Sequence, residues 1–217
     1  MDLDSLASIA GYSKYHFLRV FKEAFSMTPF EYVRRRRITE SAFDIADTDE
    51  AISQIGYKHG FNSKENFTRA FKSEHHVLPS DYRNIDSSLK LLHRDNGDSD
   101  AFILTPKLIE LKPFSATVYK SDEEDPAKFW NKYNCGGFSG KLSGGETQLD
   151  YGFSVWNFEK NKLDYYIGIL TECVNGDLSG TMQLNVGGGL YAVFDTPKAD
   201  KYTFVNAIQR TWDYIYK

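Results

Sequence analysis

The sequence has few cysteines and no long hydrophobic stretch, and these shortages exclude several classes of protein. Its two cysteines, Cys135 and Cys173, lie far apart and outside any Cys-x-x-Cys pair, which argues against a disulfide framework, a zinc site and a dithiol redox centre. We expect two free, structural thiols. No apolar run approaches the roughly 18 residues that cross a bilayer, and the first residues lack the basic and apolar regions of a signal peptide. We therefore expect a soluble, cytoplasmic protein without a membrane partner.

Charge is distributed unevenly along the chain. Residues 1–94 carry 14 Lys and Arg against 13 Asp and Glu, whereas residues 95–217 carry 12 against 17. The net charge of −4 therefore belongs to the second half, and it does not argue against a nucleic-acid partner for the first half.

The hydrophobic pattern also changes between the halves. Apolar residues recur at three and four positions before a polar, Gly- and Ser-containing stretch, and short β-branched and aromatic runs with two helical segments follow it. We predict an all-α double helix-turn-helix domain over 1–86, a linker over 87–101 and an α+β domain over 102–217.

The first half contains an internal repeat at an offset of fifty residues. The matching pairs are Ser13-Lys14 with Ser63-Lys64, Phe17 with Phe67, Arg19 with Arg69, Phe21-Lys22 with Phe71-Lys72, Pro29 with Pro79 and Tyr32 with Tyr82. Each copy reads as a short helix, a turn containing Gly11 or Gly60, and a longer helix. The short helices are predicted over Asp4–Ala10 and Glu50–Tyr57, and the longer ones end near Phe25 and His75. Ser13 and Ser63 are suited to cap the longer helices.

Each longer helix has two contrasting faces. In the first, the i, i+3, i+4, i+7 spacing predicts a buried stripe of Phe17, Val20, Phe21 and Ala24. The outward residues are Tyr15, Leu18, Arg19 and Lys22 in the first copy, and Glu65, Thr68, Arg69 and Lys72 in the second. Long cations with apolar side chains suit the major groove of duplex DNA. A solvated helix face is the alternative for one stripe, but two stripes in matching register favour DNA.

A third helix separates the copies. Thr28 and Pro29 predict its start, and the pattern continues to about Ala46. At ~1.5 Å per residue it spans a distance of the order of one DNA turn, so one chain can place both longer helices in successive major grooves. Its four consecutive arginines, 34–37, point around the circumference. We expect one or two to meet phosphate and the others to pair with Glu31, Glu40 or Asp44.

The first half resembles the AraC/XylS family of transcription activators. The motifs that carry the resemblance are Gly11-Tyr12-Ser13-Lys14-Tyr15-His16-Phe17, Ile55-Gly56-Tyr57, Gly60-Phe61, Phe67-Thr68-Arg69-Ala70-Phe71-Lys72 and Pro79-Ser80-Asp81-Tyr82-Arg83. The resemblance implies base contacts from Tyr15, Leu18 and Arg19, and from Lys64, Glu65, Thr68 and Arg69. It also implies double-stranded DNA and RNA polymerase as partners of a monomer or weak dimer. The chain lacks the family helix that precedes Leu3, and Glu65 is an unusual acid on a surface expected to face DNA.

The second half reads as a β-α-β-β unit followed by part of another. Strands are predicted over Ile109–Lys120, Tyr151–Asn157 and Leu163–Thr171, with a helix from Pro126 to about Tyr133. Further strands are predicted over Met182–Val186 and Leu190–Phe194, before a helix from about Lys201.

This half resembles the gyrase-inhibitor-like effector-binding domains. The resemblance rests on Tyr151-Gly152-Phe153, Tyr166-Ile167-Gly168 and the run from Gly188 to Phe194, and it implies two pseudo-symmetric units with a groove for a small molecule. Aromatic faces with a carboxylate favour a hydrophobic or cationic effector. The predicted ligand residues are Trp130, Tyr151, Trp156, Tyr166, Glu172, Tyr191, Trp212 and Tyr216.

Three alternatives stay open for the second half. The closing strands of the family pattern are absent, so the domain reads as incomplete. Any one of the aromatic residues can equally be packed core. Some stand-alone relatives are hydrolases of small molecules, and an acidic domain can instead bind a protein partner.

Catalytic and metal-binding patterns are missing from the sequence. No Ser-His-Asp or Cys-His arrangement is evident, and the neighbouring His75 and His76 point apart on a helix. We therefore expect no enzyme activity, no metal and no cofactor.

Overall fold

The computed structural model describes residues 2–85, 88–93 and 104–216. The chain divides into two compact units, one of Met1–Glu74 with Leu92–Arg94, and the other of His75–Leu91 with Asp95–Lys217. Most of the predicted linker, 87–101, lies outside the described residues. The predicted domain limits therefore stay predictions.

The first unit is helical. Its helices among the described residues are α1 (Leu3–Ile9), α2 (Lys14–Phe25), α3 (Pro29–Asp47), α4 (Ile52–Lys58) and α5 (Lys64–His75), the last of which ends one residue into the second unit. This order matches the predicted one, with α1 and α2 forming the first copy, α4 and α5 the second, and α3 between them.

Capping and turn residues explain where these helices begin. The hydroxyl groups of Ser13, Thr28 and Ser63 each accept a hydrogen bond from the backbone N–H three residues later, at 3.4, 3.2 and 3.1 Å. Gly11 and Gly60 have φ angles of 72° and 78°, in the left-handed region that glycine adopts without a steric cost. The predicted caps and turns are confirmed.

The two copies differ in how deeply their aromatic residues are buried. Phe67 and Phe71 of α5 are completely buried, but none of the twelve residues of α2 is. Phe17 and Phe21 are half-buried and Ala24 is exposed. The prediction of a buried stripe on α2 is therefore wrong, since no residue of this helix is buried.

Neighbouring residues account for this difference. The Phe67 ring lies 5.1 Å from the Phe61 ring, and it packs so closely on Gly56 that a Cβ there would lie 3.0 Å from it. Tyr12, which precedes the cap of α2, instead packs edge-on against His16. Phe67 of α5 is therefore enclosed by Gly56 and the Phe61 ring, and α2 lacks an equivalent arrangement.

The arginines of α3 connect it to other parts of the first unit. Arg36 pairs with Glu40, as predicted, and also donates to the carbonyl of Leu92. The Nε of Arg35 lies 2.6 Å from a carboxylate oxygen of Glu74 on α5. Since Glu74 lies far from Arg35 in sequence, this pair was not predicted.

Asp44 of α3 has different partners from those expected. Its carboxylate lies 2.6 Å from His59 Nε2 and 3.0 Å from Lys58 Nζ. Partial burial would raise the pKa of Asp44, but the hydrogen bonds from His59 and Lys58 outweigh burial and hold the pKa below its ordinary value. Of the acids expected to pair with the arginines, Glu40 does so, whereas Asp44 pairs with Lys58 and His59 at the end of α4.

The second unit combines helices and strands. Its elements are α6 (Pro79–Arg83), β1 (Lys107–Leu111), β2 (Phe114–Lys120), α7 (Pro126–Cys135), α8 (Phe138–Ser143), β3 (Tyr151–Asn157), β4 (Lys162–Leu170), a 3-10 turn (Thr171–Cys173), β5 (Met182–Val186), β6 (Gly189–Val193) and α9 (Phe204–Ile215). The short helix α8 was not predicted.

The strands form two antiparallel sheets. One has the order β3-β4-β2-β5, and the other pairs β1 with β6. The prediction of one strand over Ile109–Lys120 is wrong, because Lys112 and Pro113 separate β1 from β2, and proline cannot donate to a strand ladder.

The four-stranded sheet has two different faces. On one, Phe129 and Tyr133 of α7 pack on Ile167 of β4, and all three are buried. Strand register places Ala116, Val118 and Tyr166 on the opposite face, where they form a second cluster. We call this second surface the Tyr166 face. Its central residues, Ala116, Val118 and Tyr166, are buried, and it also carries the half-buried Phe153.

The last residue of α5 and residues that follow it bind to α7 and the loop before it. The buried side-chain amide of Asn131 donates to the carbonyl of His75 at 2.8 Å. His76 Nδ1 lies 2.8 Å from a Glu123 oxygen, and Lys90 pairs with Asp125. The segment after α5 is therefore part of the second unit.

The last helix is amphipathic, and it begins three residues after its predicted start at Lys201. Its Trp212 and Tyr216 rings stack at 5.6 Å and are largely exposed. Within the described ranges, α9 and the other helices are each too short or too polar to span a bilayer.

Candidate nucleic-acid interface

The outward face of α2 presents the residues predicted from its period. Tyr15 is 85% exposed, Arg19 and Lys22 are exposed, and Leu18 is half-buried. An aromatic ring, an aliphatic side chain and two long cations thus share one side of a capped helix. This set can approach both base edges and phosphates.

The equivalent face of α5 is a shallow, open depression of about 640 Å³. Its lining consists of Lys64, Glu65, Thr68, Arg69, Lys72 and Ser73. The five residues predicted on this helix are therefore neighbours on one surface, with three cations to one acid. The sequence did not single out Ser73.

The carboxylate of Glu65 turns back toward the first turn of α5. Hydrogen bonds from its own backbone N–H and from the Ser63 hydroxyl lower the pKa of Glu65. Such bonds use the amide groups that a helix leaves unsatisfied at its N-terminus. Glu65 stays ionised on this surface, but its charge is partly satisfied by the helix.

Each exposed arginine of the two faces has a polar neighbour one turn earlier. Arg19 Nη2 lies 3.0 Å from His16 Nδ1, and Arg69 donates to the side-chain oxygen of Asn66. The sequence analysis missed both acceptors. The signal that identifies them is their position, since each lies three residues before the arginine in its copy of the repeat.

The predicted ligand residues are spread over several surfaces of the second unit. Tyr151 and Tyr166 lie on the Tyr166 face, where Tyr151 stacks with Phe153. Trp130 and Trp156 belong to the opposite side, and Trp130 donates to the Tyr165 hydroxyl at 2.8 Å. The sheet therefore brings two of the predicted residues together and separates them from two others.

The remaining predicted ligand residues lie outside the four-stranded sheet. Glu172 is exposed in the 3-10 turn. Tyr191 lies on β6, with its hydroxyl donating to the Gly187 carbonyl. Trp212 and Tyr216 stack on α9. The structure shows no contact that joins these residues in one site.

A polar cluster that was not predicted from the sequence lies at one end of the Tyr166 face. Asp164 accepts from Asn157 Nδ2 at 2.8 Å and from Lys120 Nζ at 2.6 Å. These two bonds lower the pKa of Asp164 to about 2, and the bond to Asp164 raises that of Lys120. The ammonium group also lies 5.5 Å from the centre of the Tyr166 ring.

The described part of the chain gives little support for a metal site or a reactive thiol. No group of three or more His, Cys, Asp or Glu residues there is arranged to hold a metal ion. Cys135 and Cys173 are free thiols, as expected. Burial, with a contribution from Asp81, raises the pKa of Cys135 to about 11, so this thiol is protonated at neutral pH.

Two capped helix-turn-helix copies, each with an exposed face containing cations, define a transcription regulator of the helix-turn-helix class. A family model described as a helix-turn-helix domain matches residues 6–85. The transcriptional activator AarP of Providencia stuartii is 35% identical over half of this chain and 73% of its own. The multiple antibiotic resistance protein MarA of Escherichia coli is 33% identical over 43% of this chain and 75% of its own. The chain belongs to the AraC/XylS family of transcription regulators, whose members are not enzymes.

Longer relatives match only in part. The transcriptional regulator Rob of Salmonella typhimurium is 39% identical over 38% of this chain, but the match spans 29% of Rob. Among solved structures, an AraC-type transcriptional regulator from Chromobacterium violaceum is 25% identical, with a TM-score of 0.38, over 39% of this chain and 75% of its own.

Proposed function

We propose that the chain regulates transcription by inserting α2 and α5 into two successive major grooves of one DNA face. The observation that carries this proposal is the pair of exposed faces containing cations, at matching positions of the repeat. The 19 residues of α3 span ~28 Å at 1.5 Å per residue, of the order of one ~34 Å turn of DNA.

The exposed side chains suit different types of contact with bases and phosphates in the grooves. Arg19 and Arg69 present planar guanidinium groups that can donate two bonds to guanine O6 and N7. Leu18 and Thr68 can contact thymine methyl groups, and Glu65 can accept from a cytosine amino group. Tyr15 adds an aromatic contact. Lysines, as flexible point charges, suit phosphate contacts, and these are Lys22, Lys64 and Lys72.

One chain carries both of the proposed DNA-contacting helices, α2 and α5, so DNA binding does not require a dimer. We propose a monomer or weak dimer that contacts RNA polymerase at a promoter, because AarP, which is 35% identical over half of this chain, is a transcriptional activator. In this proposal, the sheet-containing unit controls the activity of the DNA-binding unit.

Selection of bound sequences from a random duplex pool tests the DNA-binding proposal. Wild type is expected to select two boxes with centres about one helical turn apart. Arg19→Ala should degrade only the first box and Arg69→Ala only the second, with a loss of ~1–3 kcal/mol of discrimination at one position.

Two results would count against this reading. Binding that falls with salt but selects no motif would show phosphate contact alone. Degradation of both boxes by either substitution would show that the two helices do not read DNA independently.

We also propose that the Tyr166 face of the second unit binds a small hydrophobic effector. The observation that favours this is the side-by-side placement of Tyr151, Phe153 and Tyr166 on that face. A paired Lys120 and Asp164 at its end provides both signs of charge. The nearby aromatic faces favour a cationic ligand.

Two hydrophobic ions of one shape test the effector proposal. Tetraphenylphosphonium is expected to bind in calorimetry, and tetraphenylborate to bind at least tenfold more weakly. Phe153→Ala should weaken phosphonium binding, whereas Trp156→Ala, on the opposite side of the same strand, should not. Equal effects of the two substitutions would show that the Tyr166 face is not the binding site.

A further inference from the structure

The guanidinium group on each DNA-facing helix is held by a side chain three residues earlier. Arg19 Nη2 lies 3.0 Å from His16 Nδ1 on α2, and Arg69 Nη2 donates to Asn66 Oδ1 on α5. The two pairs occupy equivalent positions of the fifty-residue repeat. The same arrangement is thus built twice, with two different types of acceptor.

The acceptors are themselves anchored by the helix caps. The backbone N–H of His16 donates to Ser13 Oγ at 3.4 Å, and that of Asn66 donates to Ser63 Oγ at 3.1 Å. In the first copy the Tyr12 ring also packs edge-on against the imidazole, with the ring centres 4.7 Å apart. Each acceptor therefore lies on the capped first turn of its helix, which frays less than an uncapped turn.

The chemistry of the acceptors distinguishes these arginines from Arg35 and Arg36 of α3. Arg35 and Arg36 bond to carboxylates, those of Glu74 and Glu40, so their charges are neutralised within the protein. An amide oxygen or a neutral imidazole nitrogen accepts a hydrogen bond without adding negative charge. Arg19 and Arg69 are thus held in place and keep their full positive charge for DNA.

The hydrogen bond to the acceptor also leaves available the guanidinium N–H donors that recognition of guanine needs. A guanidinium group has five N–H donors, and the bond to the acceptor occupies one of them. The others stay available for two bonds to one base. A side chain that is already oriented loses less rotamer freedom on binding, so more of the contact energy appears as discrimination between bases.

We infer that His16 and Asn66 are positioning residues that set the sequence specificity of Arg19 and Arg69. This inference rests on the proposed DNA-binding function. His16 acts as an acceptor through Nδ1, which requires a neutral ring with its proton on Nε2.

Exchange of the two natural acceptors provides the test. With the full chain, the preference for guanine over the other bases is measured at the position that Arg19 or Arg69 reads. His16→Ala is expected to lower the preference in the first box by about 3- to 10-fold, as for loss of one hydrogen bond. His16→Asn should restore it to within about twofold. In the second box, Asn66→Ala and Asn66→His should behave in the same way.

Two further measurements separate positioning from a merely structural role. The salt dependence of binding should not change, because the number of phosphate contacts does not change. In an Arg19→Ala background, His16→Ala should cause no additional loss of preference in the first box, since its effect passes through that arginine.

Each outcome bears on a different proposal. Failure of wild type to select a two-box site would overturn the DNA-binding proposal, and this inference with it. A two-box site whose guanine preference survives both alanine substitutions would overturn this inference alone. The same follows if the swapped acceptors fail to restore preference in a folded protein, or if the two substitutions on α2 are additive.

Discussion

Truncation of equivalent phenylalanines in the two copies should have unequal effects. Phe67 is completely buried, against Gly56 and the Phe61 ring, whereas Phe17 is half-buried. Full removal of a buried phenylalanine costs about 3–5 kcal/mol, which includes the cavity left behind. We expect Phe67→Ala to destabilise the first unit by about that amount. Phe17→Ala removes less buried surface and leaves an open site that solvent can fill, so we expect roughly half that loss.

Denaturant unfolding of both variants, together with amide hydrogen exchange, measures the difference. Exchange in wild type should already be faster in the middle of α2 than of α5, because local opening is easier where fewer apolar contacts are buried. Phe67→Ala should raise exchange in α4 and α5. Phe17→Ala should act mainly on α1 and α2. Equal losses of stability, or slower exchange in α2 than in α5, would refute the difference in burial between the copies.

Three other predictions follow from the charged groups and the thiol. Asp164 has its pKa lowered by Asn157 and Lys120 from 3.8 to about 2, so its contribution is present above pH 4 and lost as pH falls toward 2. The stabilities of wild type and Asp164→Asn, measured by urea unfolding, should converge over that range, and a constant gap would contradict this. Cys135 should react with iodoacetamide at pH 8 roughly a hundredfold more slowly than a free thiol, as mass spectrometry of labelled peptides can show. A fast reaction would mean that the thiol is not buried. Glu65→Gln should strengthen binding to random duplex, because an exposed negative charge near phosphate is removed. Unchanged binding in a mobility-shift assay would place Glu65 away from DNA.

The helical half was predictable because its signals are local. The repeat, the caps at Ser13, Thr28 and Ser63 and the turns at Gly11 and Gly60 depend on residues within a few positions of one another. The outward faces of α2 and α5 followed from the helical period alone. The depth of burial was not predictable, since it depends on packing partners such as Gly56 that lie in another helix.

The sheet-containing half was predictable in its elements but less so in its site. Strands β3 and β5 begin and end where the pattern places them. The aromatic residues do not converge as expected, because the side of a sheet that a residue faces depends on strand register. Trp156 and Tyr151 lie on the same strand and point to opposite sides. The division between β1 and β2 was predictable, because Pro113 is visible in the sequence.

The position of the unit boundary inside α5 has a practical consequence for domain exchange between regulators. The helix-turn-helix family model extends to residue 85, but the second compact unit already begins at His75. A chimera joined after residue 85 would move the His75 carbonyl and the His76 ring to a protein that lacks Asn131 and Glu123. Helix α5 of the chimera would end in groups that have lost their hydrogen-bonding partners. A transplant that keeps these partners together must also carry the sheet, because Phe129 and Tyr133 of α7 are buried against Ile167 of β4.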